Sequence, residues 1–93
     1  MYYAYILANA TNVAIYTGVT RDLVCRVAQH RAHADPASYT ARYDITKLVY
    51  FEATPSIKSA IAREKQIKSW SRKRKNALVN RRNPGWTDLY PTL

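Results

Sequence analysis

The sequence has little cysteine, glycine or acidic residue content, and each shortage excludes a class of protein. Cys25 is the only cysteine among 93 residues, which excludes an intramolecular disulfide framework and a cysteine-cluster zinc site. Two glycines argue against a glycine-rich phosphate loop. No apolar run approaches the roughly 20 residues of a membrane-spanning helix. We expect a soluble, cytoplasmic protein without a membrane partner, in which Cys25 stays a free buried thiol.

The basic residues far outnumber the acidic ones, and their surplus lies in one part of the chain. Fifteen Lys and Arg against six Asp and Glu give a formal net charge of +9. Residues 58–82, here named the basic block, hold ten basic residues and one acid, Glu64, and so carry the whole surplus. A surplus of this size favours nucleic acid as partner ahead of an anionic membrane.

Three stretches with high β-propensity predict a sheet, at residues 2–7, 13–19 and 47–52. The polar turn at 9–12 joins the first two strands, which should therefore lie antiparallel. With the helices described next, the element order is β-β-α-β-α-α. We expect one α+β domain over residues 1–93, a three-stranded antiparallel sheet flanked by helices, with its core at about 2–82 and a C-terminal tail at 83–93.

Capping residues bound the predicted helices. Thr20 is predicted to cap the first helix and Thr54 the second. The segment 33–45 between them is expected to be irregular. The basic run 72–75 is expected to lead into a third helix that ends near Val79.

Glu64 occupies an unexpected position for a surface acid. On a helix it lies about 20° from Ile57 and about 60° from Ile61, inside the predicted apolar stripe. Because burying an unpaired carboxylate costs several kcal/mol, it needs a partner. One interpretation is an ion pair with Lys68 or Arg26. The other is a ligand for a hard divalent cation, whose coordination a bound phosphate would complete.

Four further side chains, Tyr5, Tyr16, Arg26 and His30, are candidates for catalysis. Each also has a structural interpretation, since tyrosines pack in sheets and a lone Arg or His is commonly a surface or hydrogen-bonded residue. Together with Glu64, however, they are the groups needed to cut a phosphodiester. Such a reaction requires a group that positions or deprotonates water, a guanidinium on the phosphoryl oxygens, and a metal ion.

The order and spacing of these residues resemble the GIY-YIG nuclease family, in particular its small single-domain bacterial members. Arg26 lies ten residues after Tyr16, and His30 follows four residues later. The matching stretches are Tyr3-Ala4-Tyr5, Tyr16-Thr17-Gly18 and Ala62-Arg63-Glu64-Lys65-Gln66. The sequence departs from the family motifs at Tyr3 and Thr17, which are backbone positions rather than catalytic side chains.

The resemblance implies a fold and an activity. The family fold is a three-stranded antiparallel sheet with flanking helices, in agreement with the element order above. The implied activity is phosphodiester hydrolysis at one Mg²⁺ or Mn²⁺ ion. The implied catalytic residues are Tyr5, Tyr16, Arg26, His30 and Glu64, with Glu64 as the metal ligand and Gly18 as a structural motif residue.

The basic block is expected to contact phosphates by shape and charge rather than by reading bases. The candidate contacts are Lys65, Lys68, Arg72, Lys73, Arg74 and Lys75. Trp70 and Trp86 either stack on unpaired bases or anchor the last helix and the tail.

These expectations combine into a metal-dependent DNA endonuclease directed by substrate structure, on branched or single-stranded DNA among others. RNA stays open as a partner, and the sequence does not indicate an oligomeric state. The alternative is a non-catalytic nucleic-acid-binding module on the same fold.

Overall fold

A three-stranded antiparallel sheet forms the centre of the computed structural model, which describes all 93 residues. The strands are β1 (Tyr2–Ala8), β2 (Ile15–Thr20) and β3 (Lys47–Thr54). β1 lies in the middle, with β2 and β3 on either side. The predicted α+β fold and sheet are therefore confirmed. Compared with the prediction, β2 begins two residues later and β3 runs two residues further.

Four helices accompany the sheet, and one of them lies in the segment predicted to be irregular. The helices are α1 (Leu23–Arg31), α2 (Tyr39–Arg42), α3 (Ile57–Ser69) and α4 (Arg72–Arg82). A 3₁₀ turn follows at Tyr90–Thr92. The prediction of irregular structure at 33–45 was wrong only at α2, a single turn that is too short to show a hydrophobic period.

Both predicted N-cap residues were wrong, for the same physical reason. Thr20 and Thr54 are the last residues of β2 and β3, where strand pairing holds their backbone. The caps fall two residues later, at Asp22 and Ser56. The Asp22 carboxylate accepts a hydrogen bond from the Cys25 backbone N–H at 3.0 Å, and the Ser56 hydroxyl caps α3 in the same way.

The basic run 72–75 belongs to α4 rather than preceding it. Ser71 caps this helix by accepting a hydrogen bond from the Arg74 backbone N–H at 3.2 Å. The helix then continues to Arg82, three residues beyond the predicted end. Lysine and arginine are good helix formers, so a run of them does not delay helix formation.

The two faces of the sheet carry two separate apolar clusters. One packs against α1 and the other against α3 and α4. The first holds Tyr5, Leu7, Leu23, Val27, Ile45 and Leu48. The second holds Ile6, Ala8, Val49, Tyr50, Ile67, Leu78, Val79 and Trp86.

The predicted apolar stripe of α3 is only partly correct. Ala60 and Ile67 are fully buried, whereas Ile57 and Ile61 are 50% and 37% exposed. Glu64 nevertheless lies in a shielded position, with 13% of its side chain exposed.

The tail at 83–93 packs against the domain. The Asn83 side-chain amide donates to the backbone oxygens of Val49 and Thr87, at 3.1 and 2.9 Å. Trp86 is buried and donates to Asn80 Oδ1 at 2.6 Å. Trp86 is therefore an anchor for the tail, the second of the two interpretations of this residue.

Two other features complete the fold. Cys25 is exposed on α1, so the expected burial of its thiol was wrong. None of the helices combines the length and the apolar character that crossing a membrane requires.

Candidate active site

Three of the predicted residues meet above the sheet. Tyr5 on β1 is 1% exposed, and its hydroxyl lies 3.1 Å from Nε2 of His30 on α1. The Tyr16 ring, from β2, lies 5.5 Å from the His30 ring and 6.3 Å from the Tyr5 ring, measured between centroids. The hairpin and α1 thus bring two phenols and one imidazole into a single cluster.

Gly18 makes room for this cluster. It lies opposite Tyr5 in the strand pairing. A Cβ atom at position 18 would lie 2.5 Å from the Tyr5 hydroxyl oxygen, 2.6 Å from Tyr5 Cζ and 2.9 Å from Tyr16 Cε2. The motif glycine is therefore required by close approach of side chains, which supports its predicted structural role.

Arg26 lies one helical turn before His30 and is exposed. Its guanidinium donates to Gln29 Oε1 at 3.2 Å and is close enough for its charge to act on both Tyr5 and His30. The guanidinium therefore combines access from solvent with proximity to the cluster.

The protonation states of the cluster follow from burial and charge. Burial raises the pKa of Tyr5 to about 12, and the neighbouring charges of Tyr16 and Glu64 add to this effect while Arg26 opposes it. Burial, and then the positive charge of Arg26, lower the pKa of His30 below 6.5. Near neutral pH, Tyr5 therefore keeps its proton and His30 is an uncharged imidazole.

Glu64 on α3 pairs with Lys68, one of the two partners predicted from the sequence. Lys68 Nζ lies 2.8 Å from Glu64 Oε2, whereas no ion pair joins Glu64 to Arg26. The same ammonium lies 5.9 Å from the centre of the Tyr16 ring. Lys68 therefore links the carboxylate to the aromatic cluster, and the charge of Glu64 reaches Tyr5.

The donor set at this centre fits one kind of metal ion only. The protein has no group of three or more His, Cys, Asp or Glu side chains that could hold a metal. A single carboxylate oxygen donor suits a hard divalent cation, which keeps several water ligands and takes others from a phosphate. Mg²⁺ or Mn²⁺ fits Glu64 under these conditions.

Thr40 on α2 is a site residue that the sequence did not predict. It is 3% exposed, and its hydroxyl lies 2.9 Å from Nδ1 of His30 and 3.2 Å from the Ser38 hydroxyl. Two sequence signals pointed to this segment: Ser38, a suitable N-cap residue, and the stretch Thr40-Ala41-Arg42-Tyr43, which resembles the small family members. Neither signal indicated the contact of Thr40 with His30. The contact arises because α2 folds back beside α1.

The six predicted nucleic-acid contacts have different surroundings. The Arg72 guanidinium bonds to the backbone oxygens of Asn12 and Val13, the latter at 2.6 Å, and thereby ties α4 to the loop between β1 and β2. Arg74 lies 4.2 Å over the Trp70 ring, and Lys68 pairs with Glu64. Of the six, only Lys68 forms an ion pair. Three members have no ion pair, side-chain hydrogen bond or cation–π contact: Lys65, Lys73 and Lys75.

Comparison with known proteins identifies the family of this chain. The family model described as the GIY-YIG catalytic domain matches residues 1–77. A UPF0213 protein of Haloquadratum walsbyi is 36% identical over 78 residues, which cover 84% of this chain and 85% of that protein. A UPF0213 protein of Desulfotalea psychrophila is 33% identical over 89 residues, with 96% and 80% coverage.

A solved structure supports the same assignment. The solution NMR structure of a UPF0213 protein from Bacillus halodurans matches with a TM-score of 0.58 and 33% sequence identity. The match covers 92% of this chain and 90% of that one. The resemblance inferred from the motifs is confirmed, and the chain belongs to the GIY-YIG family.

Proposed function

We propose that this protein is a metal-dependent endonuclease that hydrolyses phosphodiester bonds in DNA and selects its substrate by structure rather than sequence. The observation that carries the proposal is the cluster of Tyr5, Tyr16 and His30, with the charges of Arg26 and Glu64 acting on it. A GIY-YIG catalytic domain supports a nuclease-type activity. DNA, the metal and the roles below are parts of the proposal.

The tyrosine–histidine pair handles the proton of the attacking water. Tyr5 alone is a poor base at neutral pH because its pKa is about 12. Neutral His30 accepts the phenol proton at Nε2, while Tyr5 takes a proton from water as the water oxygen bonds to phosphorus. The bond between phosphorus and the leaving oxygen breaks, and the leaving oxygen takes a proton from solvent. His30 Nε2 is free to accept when Nδ1–H donates to Thr40 Oγ1, so Thr40 sets the productive tautomer.

The remaining groups act on charge and position. Arg26 stabilises the negative charge on the phosphoryl oxygens, for which a guanidinium provides paired donors. Tyr16 orients the water or the phosphate from the other side of the cluster. Glu64 would hold the divalent cation, which would supply positive charge to stabilise the leaving oxygen. Because Lys68 already pairs with Glu64, it competes with that cation for the carboxylate.

Binding depends on the basic block. Lys65 and Lys73 are exposed and Lys75 is partly exposed, and none of the three forms an ion pair. Flexible ammonium groups of this kind contact phosphates without distinguishing bases. This surface therefore favours selection by the shape of the nucleic acid.

The decisive experiment compares wild type with Glu64→Gln on branched, flapped, nicked and single-stranded DNA, with Mg²⁺ or Mn²⁺ present. We expect the variant to lose cleavage and to keep most of its binding, since the basic block supplies the affinity. The matched control is Asp44→Asn, which neutralises an exposed acid paired only with His33. Cleavage by Glu64→Gln at the wild-type rate with saturating metal ion would show that the proposal is wrong.

A non-catalytic nucleic-acid-binding module is the second candidate. The ion pair between Glu64 and Lys68 favours it, because the one carboxylate at the centre already has a cationic partner. In this case wild type binds members of the panel and releases no product. A parallel set of RNA substrates separates a DNA partner from an RNA partner.

A further inference from the structure

A basic pocket lies between β3 and α4, apart from the candidate active site. Its volume is about 460 Å³, and it opens to solvent. Its polar lining consists of Tyr50, Glu52, Arg63, Arg81 and Arg82. Arg81 and Arg82 belong to the basic block, but they were not among the six individual nucleic-acid contacts predicted from the sequence.

The one acid in this pocket is fully engaged. Arg63 Nε lies 3.0 Å from both carboxylate oxygens of Glu52, and its Nη2 lies 2.9 Å from Oε2. The Tyr50 hydroxyl donates to the same carboxylate. These hydrogen bonds outweigh the opposing effect of burial and lower the pKa of Glu52, so the group stays ionised. The charges of Glu52 and Arg63 therefore neutralise each other.

Arg81 and Arg82 supply a surplus of two positive charges. No carboxylate pairs with either residue. Arg82 makes only a 3.5 Å hydrogen bond to the Phe51 carbonyl and lies 5.8 Å from the centre of the Tyr50 ring. Favourable interaction with the C-terminal end of α4 explains why the helix tolerates both arginines, but it does not use their hydrogen-bond donors.

Helix α3 separates this pocket from the candidate active site. Arg63 points to Glu52 on β3, while the neighbouring Glu64 pairs with Lys68 beside Tyr16 on β2. β2 and β3 are the two edges of the sheet. A nucleic-acid backbone that contacts both places therefore has to cross α3.

We propose that Arg81 and Arg82, in the pocket beside the Glu52–Arg63 pair, bind a phosphodiester group of the substrate away from the bond that is cut. Guanidinium groups bind phosphate oxygens through paired hydrogen bonds, and here neither Arg81 nor Arg82 forms an ion pair with an acid. The inference rests on the proposed nucleic-acid substrate but not on cleavage. The pocket anchors the strand across α3 while the active site holds the scissile phosphate.

The test measures DNA affinity against salt concentration in EDTA for wild type and for Arg81→Gln/Arg82→Gln. Each lost phosphate contact makes the slope of log K against log salt shallower by roughly 0.7–0.9, so we expect a change of about 1.4–1.8 for two lost contacts. The control, Arg21→Gln/Lys47→Gln, removes two charges outside the pocket and the basic block. It should change the slope much less.

The outcomes of this experiment either support or overturn phosphate binding in the pocket. Equal slopes for the two double variants would overturn the proposal. NMR titration with inorganic phosphate provides a second test. If the pocket residues respond to inorganic phosphate but the DNA slope of the double variant is unchanged, the pocket binds free anions and the proposal is also overturned. Arg81→Gln alone removes a guanidinium that forms no hydrogen bond or ion pair within the protein, so this variant should fold and give about half the change in slope. Wild type that binds with the expected slope but never cuts DNA would contradict the proposed function and leave this inference standing.

Discussion

Replacing Gly18 by alanine tests whether close packing around Tyr5 holds the active site together. The added Cβ would lie 2.5 Å from the Tyr5 hydroxyl oxygen and 2.6 Å from Cζ of the same ring. Tyr5 has no space into which to retreat, since it is 1% exposed and hydrogen-bonded to His30. Either β2 or the phenol must therefore move.

The expected loss of stability in Gly18→Ala is the difference between a packing penalty and a gain in backbone entropy. Overpacking a core costs typically about 1–3 kcal/mol. Alanine recovers about 0.5–1 kcal/mol because it loses less backbone freedom than glycine on folding. We expect Gly18→Ala to lower the free energy of unfolding by about 1–2 kcal/mol, and each kcal/mol lowers Tm by about 4–8 °C in a domain of this size.

Urea denaturation and a cleavage assay on the same variant measure the two consequences. The matched control is Gly85→Ala, where the new Cβ would meet only Thr87 Cγ2, at 3.6 Å. This control should be as stable as wild type, or slightly more stable. We expect Gly18→Ala to lose more activity than its stability explains, because the 3.1 Å contact between Tyr5 and His30 is displaced. Equal urea midpoints for the two variants would refute the packing argument.

Three further predictions concern His30, Thr40 and α4. The pKa of His30 is lowered from 6.5 in the folded protein, so as the pH falls the unfolded chain binds a proton at this residue first. Titration of His30 therefore leaves stability unchanged above about pH 6.5 and lowers it below that pH. Urea midpoints from about pH 5 to 8 measure this effect. Thr40→Val should lower cleavage and change its pH profile, while Thr40→Ser keeps both near wild type. Arg72→Ala should cost about 1 kcal/mol in urea denaturation, and Lys73→Ala much less.

Each of these predictions has a contrary result. A pH dependence that is unchanged in His30→Gln would remove His30 as its source. A wild-type pH profile in Thr40→Val would show that the hydroxyl does not set the imidazole tautomer. Equal stability of the Arg72 and Lys73 variants would mean that the loop contact of Arg72 contributes nothing to folding.

The sequence by itself determined the three-stranded sheet, the order of the strands along the chain and the family. These depend on local signals: alternating side chains that fit a pleated strand, and short motifs read at fixed spacing. Helical periodicity also placed Glu64 correctly in a shielded position. The N-caps were wrong because Thr20 and Thr54 are engaged by strand pairing, which no local signal reports.

Only the tertiary structure decided which side chains meet. It selected Lys68 over Arg26 as the partner of Glu64, and it brought Thr40 against His30 by folding a one-turn helix beside α1. It also showed why position 18 must be glycine, since the reason lies on the neighbouring strand. Contacts between residues distant in sequence depend on how elements pack in three dimensions, and composition and spacing along the chain do not contain that information.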